Sequence, residues 1–345
     1  MDLQLDIEGY RAGEKKLIAA KSYLIDRFSP ATEHILLPAY NMPAGHIVIK
    51  YSGNMITSES NDITSKRKTL NKLKRLYQKT SESYDGIVID LRRNTPGNWA
   101  HTLNFHIPFA FFVIDQLHKH NIKDPYIFIL SENTPSYIKN IFALFELPVQ
   151  FSDNTILAKQ VEFNQAPFDC LRTPAIHWVR DLIIPQKPYQ QLQNATYELP
   201  KRVFLSRRSS RNISNEEEVE NFLLQYKFEK IYPEDLTVEQ QLQIFMKAEA
   251  IIAVHGAAIG PMMYRSPVQK TLKLLEILTP GHMTNYYRGM ADQVGVEWCG
   301  VRGRLSPDHV SKAYDFSTSF LEYSLTSFEV CTQSLQEGLE LLALS

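Results

Sequence analysis

The sequence predicts an α/β protein that is built from two domains with parallel sheets. Short apolar runs typical of buried strands occur in both halves, for example at Gly86–Ile89 and Ile251–Val254. Amphipathic segments with helical spacing lie between such runs, and a stretch of prolines and polar residues at 185–200 separates the halves. Since strands that alternate with helices form right-handed crossovers, we expect each half to be Rossmann-like, with its strand ends on one edge.

The composition is typical of a globular protein with two hydrophobic cores. Hydrophobic residues make up 44% and charged residues 22% of the 345 residues, which is sufficient for two domains. A formal net charge of -1 predicts no nucleic-acid partner. No apolar run has the length of a signal sequence or a membrane span. Because Cys170, Cys299 and Cys331 lie far apart, neither disulfides nor a zinc site is indicated, and we expect a cytoplasmic protein.

The C-terminal half, with a predicted domain at 191–315, alternates strands and helices. Its predicted strands are Arg202–Leu205, Phe228–Tyr232, Ile251–Val254 and Leu272–Leu278. A capping box is a hydroxyl residue followed three positions later by Glu or Gln, and two such patterns predict helix starts at Ser214 and Thr237. The alternation predicts a doubly wound parallel sheet.

Cationic and small residues collect at the strand ends of this predicted sheet. The arginines of the loop after the first strand are Arg207, Arg208 and Arg211. The turn after the third strand is His255-Gly256-Ala257-Ala258, whose small residues let a ligand approach the backbone of a helix start near Ala258. Arginine forks and helix amides both bind phosphates. The pattern therefore predicts a binding site for the diphosphate of a nucleotide. The alternative is that the glycine only makes a turn and His255 only caps it.

A single carboxylate, Glu276, interrupts the last apolar strand. A charge in a buried strand costs free energy unless it has a partner. One interpretation is that Glu276 accepts hydrogen bonds from the ribose hydroxyls of a bound nucleotide. The other is that it pairs with an arginine elsewhere in an ordinary Rossmann-like half.

The order of these motifs resembles glycosyltransferase family 61. The residues that carry the resemblance are Phe204-Leu205-Ser206-Arg207-Arg208, Arg211, Asn215-Glu216, Glu239-Gln240-Gln241, His255-Gly256-Ala257 and Leu275-Glu276. Pro261-Met262-Met263 departs from the family pattern, in which Thr-Asn-Leu-like residues are common. The resemblance implies a GT-B type fold, in which two Rossmann-like domains face a cleft. We expect an acceptor-side domain at 1–190 and a C-terminal helix at 316–345 that crosses back to it.

A second motif of the same family follows a strand end in the N-terminal half. Asn98-Trp99-Ala100-His101 matches an Asn-aromatic-x-His pattern before a long helix. In the first turn the helix dipole keeps the imidazole of His101 neutral, so that it can take a proton from an acceptor hydroxyl. The alternative is a capping or core histidine. Asp90 is the rival base, unless it pairs with Arg92 or Arg93.

The resemblance implies an inverting glycosyltransferase with a nucleotide-sugar donor, expected to be a UDP-sugar. It also implies a glycan or lipid-linked saccharide acceptor, and a role in bacterial capsular or surface polysaccharide synthesis. Because no Asp-x-Asp triplet occurs, we expect arginines and a helix start, without a metal or other cofactor, to neutralise the leaving group. The alternative is a non-catalytic sugar-nucleotide-binding or glycan-binding protein. A dinucleotide oxidoreductase is disfavoured, since no Gly-x-Gly-x-x-Gly follows a predicted strand.

Residues 65–79 combine lysines and arginines with a leucine stripe at helical spacing. One interpretation is a basic amphipathic helix in peripheral contact with the anionic inner membrane. The other is a solvated helix face that packs on its own domain.

Overall fold

The computed structural model describes residues 2–20, 32–58, 81–92, 97–163, 174–266, 270–305 and 324–345. The basic segment 65–79 therefore lies outside the described residues. Throughout these ranges, every helix falls short of the length and apolarity that crossing a bilayer requires.

Strands and helices alternate along most of the chain. The strands are β1 Asp2–Ile7, β2 Tyr10–Ala12, β3 Lys15–Ala20, β4 Thr32–Leu37, β5 Tyr40–Met42, β6 Gly45–Ser58, β7 Ser81–Asp90, β8 Tyr126–Leu130, β9 Val149–Phe151, β10 Thr155–Phe163, β11 Arg202–Leu205, β12 Glu229–Ile231, β13 Ala250–Val254, β14 Lys273–Leu278 and β15 Glu297–Arg302. The α-helices are α1 Trp99–His101, α2 Ile107–Lys119, α3 Ser136–Leu144, α4 Lys187–Asn194, α5 Glu216–Leu224, α6 Val238–Lys247, α7 Tyr286–Gln293 and α8 Thr332–Leu341. Tighter or wider helical turns are the π turns Thr102–His106 and Val179–Ile183 and the 3-10 turns Pro233–Asp235 and Ala257–Tyr264.

The first compact unit consists of Met1–Gly9 and Pro43–Gln191. Its sheet has the order β1-β6-β10-β7-β8-β9, in which β10, β7, β8 and β9 are parallel and β6 and β1 are antiparallel. The central strands are apolar at 87–89 and 128–130, where no residue is more than 1% exposed. Helix α2 buries the face that its helical spacing predicts, and the ring of Phe112 stacks on Trp178 with centroids 4.4 Å apart.

The second unit consists of Tyr10–Met42 and Leu192–Ser345. Its sheet has the order β12-β11-β13-β14-β15-β3-β4, with every neighbouring pair parallel except β3 and β4. The four strands predicted for the C-terminal half all form, within one residue of their predicted bounds at every end. The α/β class predicted from the sequence is therefore confirmed.

One of the two predicted capping boxes is correct. The hydroxyl of Thr237 accepts from the amide of Gln240, and the Gln240 side chain accepts from the amide of Thr237, so α6 begins as predicted. The capping box at Ser214 is wrong, because the amide of Ser214 donates to the carbonyl of Phe328 and α5 begins after Asn215.

The division of the chain differs from the prediction in two places. Residues 10–42 lie in the second unit rather than the first, because β3 extends the second sheet by pairing with β15, with Ile18 opposite Val301. Helix α8 was expected to cross back to the first domain. Instead, its Leu335 and Leu339 are buried in the core of the second unit. The sequence could not indicate either contact, since both join segments that are far apart along the chain.

Candidate functional site

The candidate site lies at the carboxyl ends of β11, β13 and β14 in the second unit. Parallel strands bring these ends to one edge of the sheet. The arginine loop follows β11, the small-residue turn follows β13, and the segment after β14 leads into α7. The edge predicted from the sequence is therefore the place where these segments meet.

Two arginines of the loop bind the same backbone oxygen. Nη1 of Arg207 donates to the carbonyl of His255 at 3.1 Å, and Nη1 of Arg211 donates to it at 3.3 Å. Further donors of these guanidiniums reach the hydroxyl of Ser210 and the carbonyl of Ser324. Burial lowers the pKa of both arginines, and in Arg211 the charge of Arg207 lowers it further. Within the ranges that the structure describes, both guanidiniums have neutral hydrogen-bond partners only, and the charge of Glu234 offsets part of the charge of Arg207.

Arg208 does not join this pair. Its two terminal nitrogens bind the two carboxylate oxygens of Asp235 at 2.5 Å each, and its guanidinium stacks over the ring of Tyr232 at 4.0 Å. Arg208 therefore forms an exposed ion pair beside the site, and its role in binding the diphosphate stays a prediction.

Gly256 is required by the position of Arg207. A Cβ atom at residue 256 would lie 1.9 Å from Nη1 of Arg207. Ala257 and Ala258 follow half-buried in the turn Ala257–Tyr264. This turn is a 3-10 helix, and it contains Pro261, which has no amide hydrogen to donate. The small residues therefore let another group approach the backbone closely, as the sequence predicted. In this structure the group that approaches Gly256 is the side chain of Arg207.

The buried carboxylate of Glu276 has two partners. Its Oε1 lies 2.5 Å from Nδ1 of His255, and its Oε2 accepts a hydrogen bond of 2.7 Å from the indole nitrogen of Trp298. Glu276 is 0% exposed and His255 is 5% exposed. An ionised carboxylate only accepts, so this contact makes Nδ1 the protonated ring nitrogen.

Strand register explains these contacts. Glu276 pairs with Ala253 on one side and with Gly300 on the other. His255 lies two residues after Ala253, and Trp298 two residues before Gly300, so all three side chains project from the same face of the sheet. Gly300 leaves the space that the indole ring occupies, since a Cβ there would lie 2.6 Å from a ring carbon of Trp298.

The contacts of Glu276 differ from both sequence interpretations. Its partner is not an arginine. Its carboxylate is fully buried with both oxygens engaged, and for this reason it has no surface to offer to ribose hydroxyls. Glu276 instead supports the ring of His255.

Two aromatic side chains that the sequence did not single out surround His255. The ring of His282 lies 5.3 Å from the His255 ring, and the ring of Tyr287 lies 5.5 Å from it. Burial, with smaller electrostatic contributions from the neighbouring His255 and Arg211, lowers the pKa of His282 to about 4. Burial raises the pKa of Tyr287 well above its ordinary value. Both rings are therefore neutral near pH 7. Their position after β14 was the only signal for them in the sequence.

The first unit contains the two predicted base candidates. Asp90 is bound by Arg92, whose Nη2 donates to Oδ2 at 2.7 Å, while its Nε and its amide donate to Oδ1 at 2.9 and 3.0 Å. This pairing with Arg92 is one of the alternatives that the sequence left open. Residue 93 lies outside the described residues.

His101 lies in α1, as its motif predicts. The side chain of Asn98 caps this helix by accepting from the amide of His101 at 3.1 Å. The His101 ring is half-buried, and burial lowers its pKa, so the imidazole is neutral near pH 7. The helix widens into the π turn Thr102–His106 directly afterwards, a feature that is frequent at functional sites.

Comparison with known proteins supports the family resemblance. A family model described as Glycosyltransferase 61 matches residues 95–271, slightly more than half of the chain. The match includes the His101 motif, the arginine loop and the turn at His255, and it ends shortly before Glu276. No curated protein matches the chain.

Proposed function

Because the chain belongs to glycosyltransferase family 61, we propose that it transfers a sugar from a nucleotide-sugar donor to a glycan hydroxyl by a single inverting displacement. Glycosyltransferase activity follows from the family itself. The proposal adds a UDP-sugar as donor, independence of a metal, a GT-B type fold, and a role in bacterial capsular or surface polysaccharide synthesis.

The observation that carries the proposal is the pair of guanidiniums on the carbonyl of His255. Arg207 and Arg211 bring two positive charges to one oxygen atom, and their partners in the described ranges are carbonyls and a hydroxyl. A nucleoside diphosphate carries several negative charges, and arginine forks match the geometry of its phosphate oxygens. The site is therefore suited to bind the diphosphate of the donor.

The same charges favour the chemical step. As the bond between the anomeric carbon and the diphosphate breaks, negative charge grows on the departing oxygen. Arginines that are already fixed in place stabilise this charge without reorganisation. In metal-dependent sugar transferases a divalent ion supplies such charge, and here Arg207 and Arg211 would supply it.

We assign His101 as the base that accepts the proton of the acceptor hydroxyl. Its lowered pKa keeps the imidazole unprotonated at neutral pH, as a base must be. Asp90 is less suited, because the guanidinium of Arg92 neutralises its carboxylate. One displacement, with attack opposite to the leaving group, inverts the configuration at the anomeric carbon.

A binding and turnover experiment tests this proposal. We expect one member of a panel of UDP, GDP, CMP and their sugars to raise the melting temperature, with and without EDTA. Donor turnover should be lost in His101→Ala while nucleotide binding remains. Nucleotide binding without turnover in the wild-type protein would favour the non-catalytic alternative. Absence of any nucleotide binding would overturn the proposal.

A further inference from the structure

The ring of His255 is fixed from one side and open on the other. Nδ1 is held by Glu276, and Glu276 is held in turn by Trp298. Across the described part of the chain, no side chain forms a hydrogen bond with Nε2 of His255. Burial of a carboxylate costs free energy that its partners must offset. The arrangement therefore fixes one imidazole nitrogen and leaves the other for a ligand.

The arginines indicate which part of the donor this nitrogen meets. In a single displacement the attacking and leaving oxygens lie on opposite sides of the anomeric carbon. The carbonyl of His255 itself binds Arg207 and Arg211, which we assign to the leaving diphosphate. The ring thus lies on the leaving-group side, where a base for the acceptor cannot work.

We propose that Glu276 is a positioning residue that fixes the ring of His255 through Nδ1, and that in the diphosphate complex Nε2 carries a proton and donates a charge-assisted hydrogen bond to the departing diphosphate. This inference rests on the proposed function and deepens it. During transfer the acceptor oxygen bonds to the anomeric carbon and the bond to the diphosphate oxygen breaks. The acceptor proton goes to the base, and His255 keeps its own proton in the hydrogen bond to the leaving group.

A hydrogen bond from Nε2 to a phosphate oxygen requires a second proton on the ring, because the first is held by Nδ1 in the contact with Glu276. The charged groups beside the ring are Glu276, which contacts Nδ1, and Arg207 and Arg211, which bind the carbonyl of the same residue. The rings of His282 and Tyr287, which pack on His255 from the segment after β14, are neutral near pH 7. Binding is therefore expected to take up a proton, and affinity is expected to rise as the pH falls.

Calorimetry of UDP and of inorganic pyrophosphate tests this coupling. Titration in buffers with different ionisation enthalpies measures the protons taken up on binding. We expect uptake in the wild-type protein between about pH 6 and pH 8, and its loss in Glu276→Gln and His255→Gln, with roughly tenfold or greater loss of affinity near pH 6. Arg208→Gln, from the same loop, should keep the wild-type uptake and affinity. Comparison with the wild type under the same conditions removes the titration of the ligand itself.

Nitrogen NMR of the wild-type imidazoles gives a second readout that does not depend on the folding of a variant. The resonances of His255 are identified by their absence in His255→Gln. We expect Nδ1 to be protonated in the free protein and both nitrogens to be protonated with pyrophosphate bound.

Two results separate this inference from the proposed function. Wild-type proton uptake in Glu276→Gln, or a His255 ring that stays neutral with pyrophosphate bound, would overturn the inference and leave diphosphate binding intact. Failure of the wild-type protein to bind either probe at any pH would overturn both.

Discussion

Arginines lie at strand ends in both units of this protein, but they differ in whether a carboxylate binds their guanidinium groups. After β7, the guanidinium of Arg92 binds both oxygens of Asp90 and the carbonyls of Ser152 and Asn154. After β11, Arg207 and Arg211 bind only carbonyls and a hydroxyl among the described residues. The first arrangement is an ion pair that links segments of the unit, whereas the second has no carboxylate among its hydrogen-bond partners and only the charge of Glu234 acting on Arg207.

The difference shows that a strand-end position is not sufficient for an anion site. Parallel sheets gather polar side chains at their carboxyl edges in both units. Whether such an edge binds an anion depends on the carboxylates that the tertiary structure places beside each arginine. Arg208 makes the same point within one loop, because Asp235 removes its charge from the site.

The largest expected effect comes from removing the charges of Arg207 and Arg211. Arg207→Gln combined with Arg211→Gln should lower kcat/KM for the donor by about 10²–10³-fold or more, since both charges act on the developing diphosphate. Steady-state kinetics measure this loss. The free energy of unfolding should stay within about 0.5 kcal/mol or rise, because two like charges are removed. Arg208→Gln is the matched control and should retain activity.

The next largest effect is expected from breaking the ion pair of Asp90 and Arg92 in the first unit. Asp90→Asn leaves the buried guanidinium of Arg92 without its counter-charge, which should lower the free energy of unfolding by about 2–4 kcal/mol. Urea unfolding measures the change, and UDP affinity under folding conditions should stay unchanged. Loss of UDP affinity without loss of stability would contradict the distinction between the two arginine groups.

A smaller effect is expected from replacing Gly256, which lies against the guanidinium of Arg207. In Gly256→Ala the new methyl group occupies the place of Nη1 of Arg207, so the guanidinium must move and UDP affinity should fall by about tenfold. Isothermal titration calorimetry measures the affinity. Gly97→Ala in the first unit is the control, because no heavy atom of the described residues lies within 4 Å of its added Cβ. Equal affinities in the two variants would argue against close approach as the reason for Gly256.

The smallest effect concerns the pH dependence of stability. The pKa of His282 falls from its ordinary 6.5 to about 4 in the folded protein, so the unfolded chain takes up the proton first as the pH falls. The stabilisation is thus complete above about pH 6.5 and is lost toward pH 4. Because the ring is partly solvated, we expect about 1 kcal/mol from this residue. Urea unfolding at several pH values should show a weaker dependence in His282→Asn.

Local patterns in the sequence were sufficient to predict the strands and helices of the second unit and many of the residues at the candidate site. The apolar runs gave β11, β13 and β14 nearly to the residue, because a strand buried on both faces must be apolar throughout. The capping box at Thr237 and the small-residue turn at Gly256 were also predictable, since hydrogen bonding and sterics there act over a few residues.

Partners that are distant in sequence were not predictable. Which arginine meets a carboxylate, and which donors meet Glu276, depend on contacts between segments 20 or more residues apart. Strand register sets the Glu276 contacts, and one sequence does not reveal register.

The sequence by itself therefore determined the α/β class, the strand-end loops that carry the functional residues, and the family. Only the tertiary structure decided that residues 10–42 and helix α8 complete the second unit, that Arg208 is neutralised, and that Glu276 supports His255. The physical reason is the distance along the chain over which each kind of interaction acts. Periodicity and capping act within a few residues, whereas charge balance and hydrogen-bond partners depend on the packing of the whole unit.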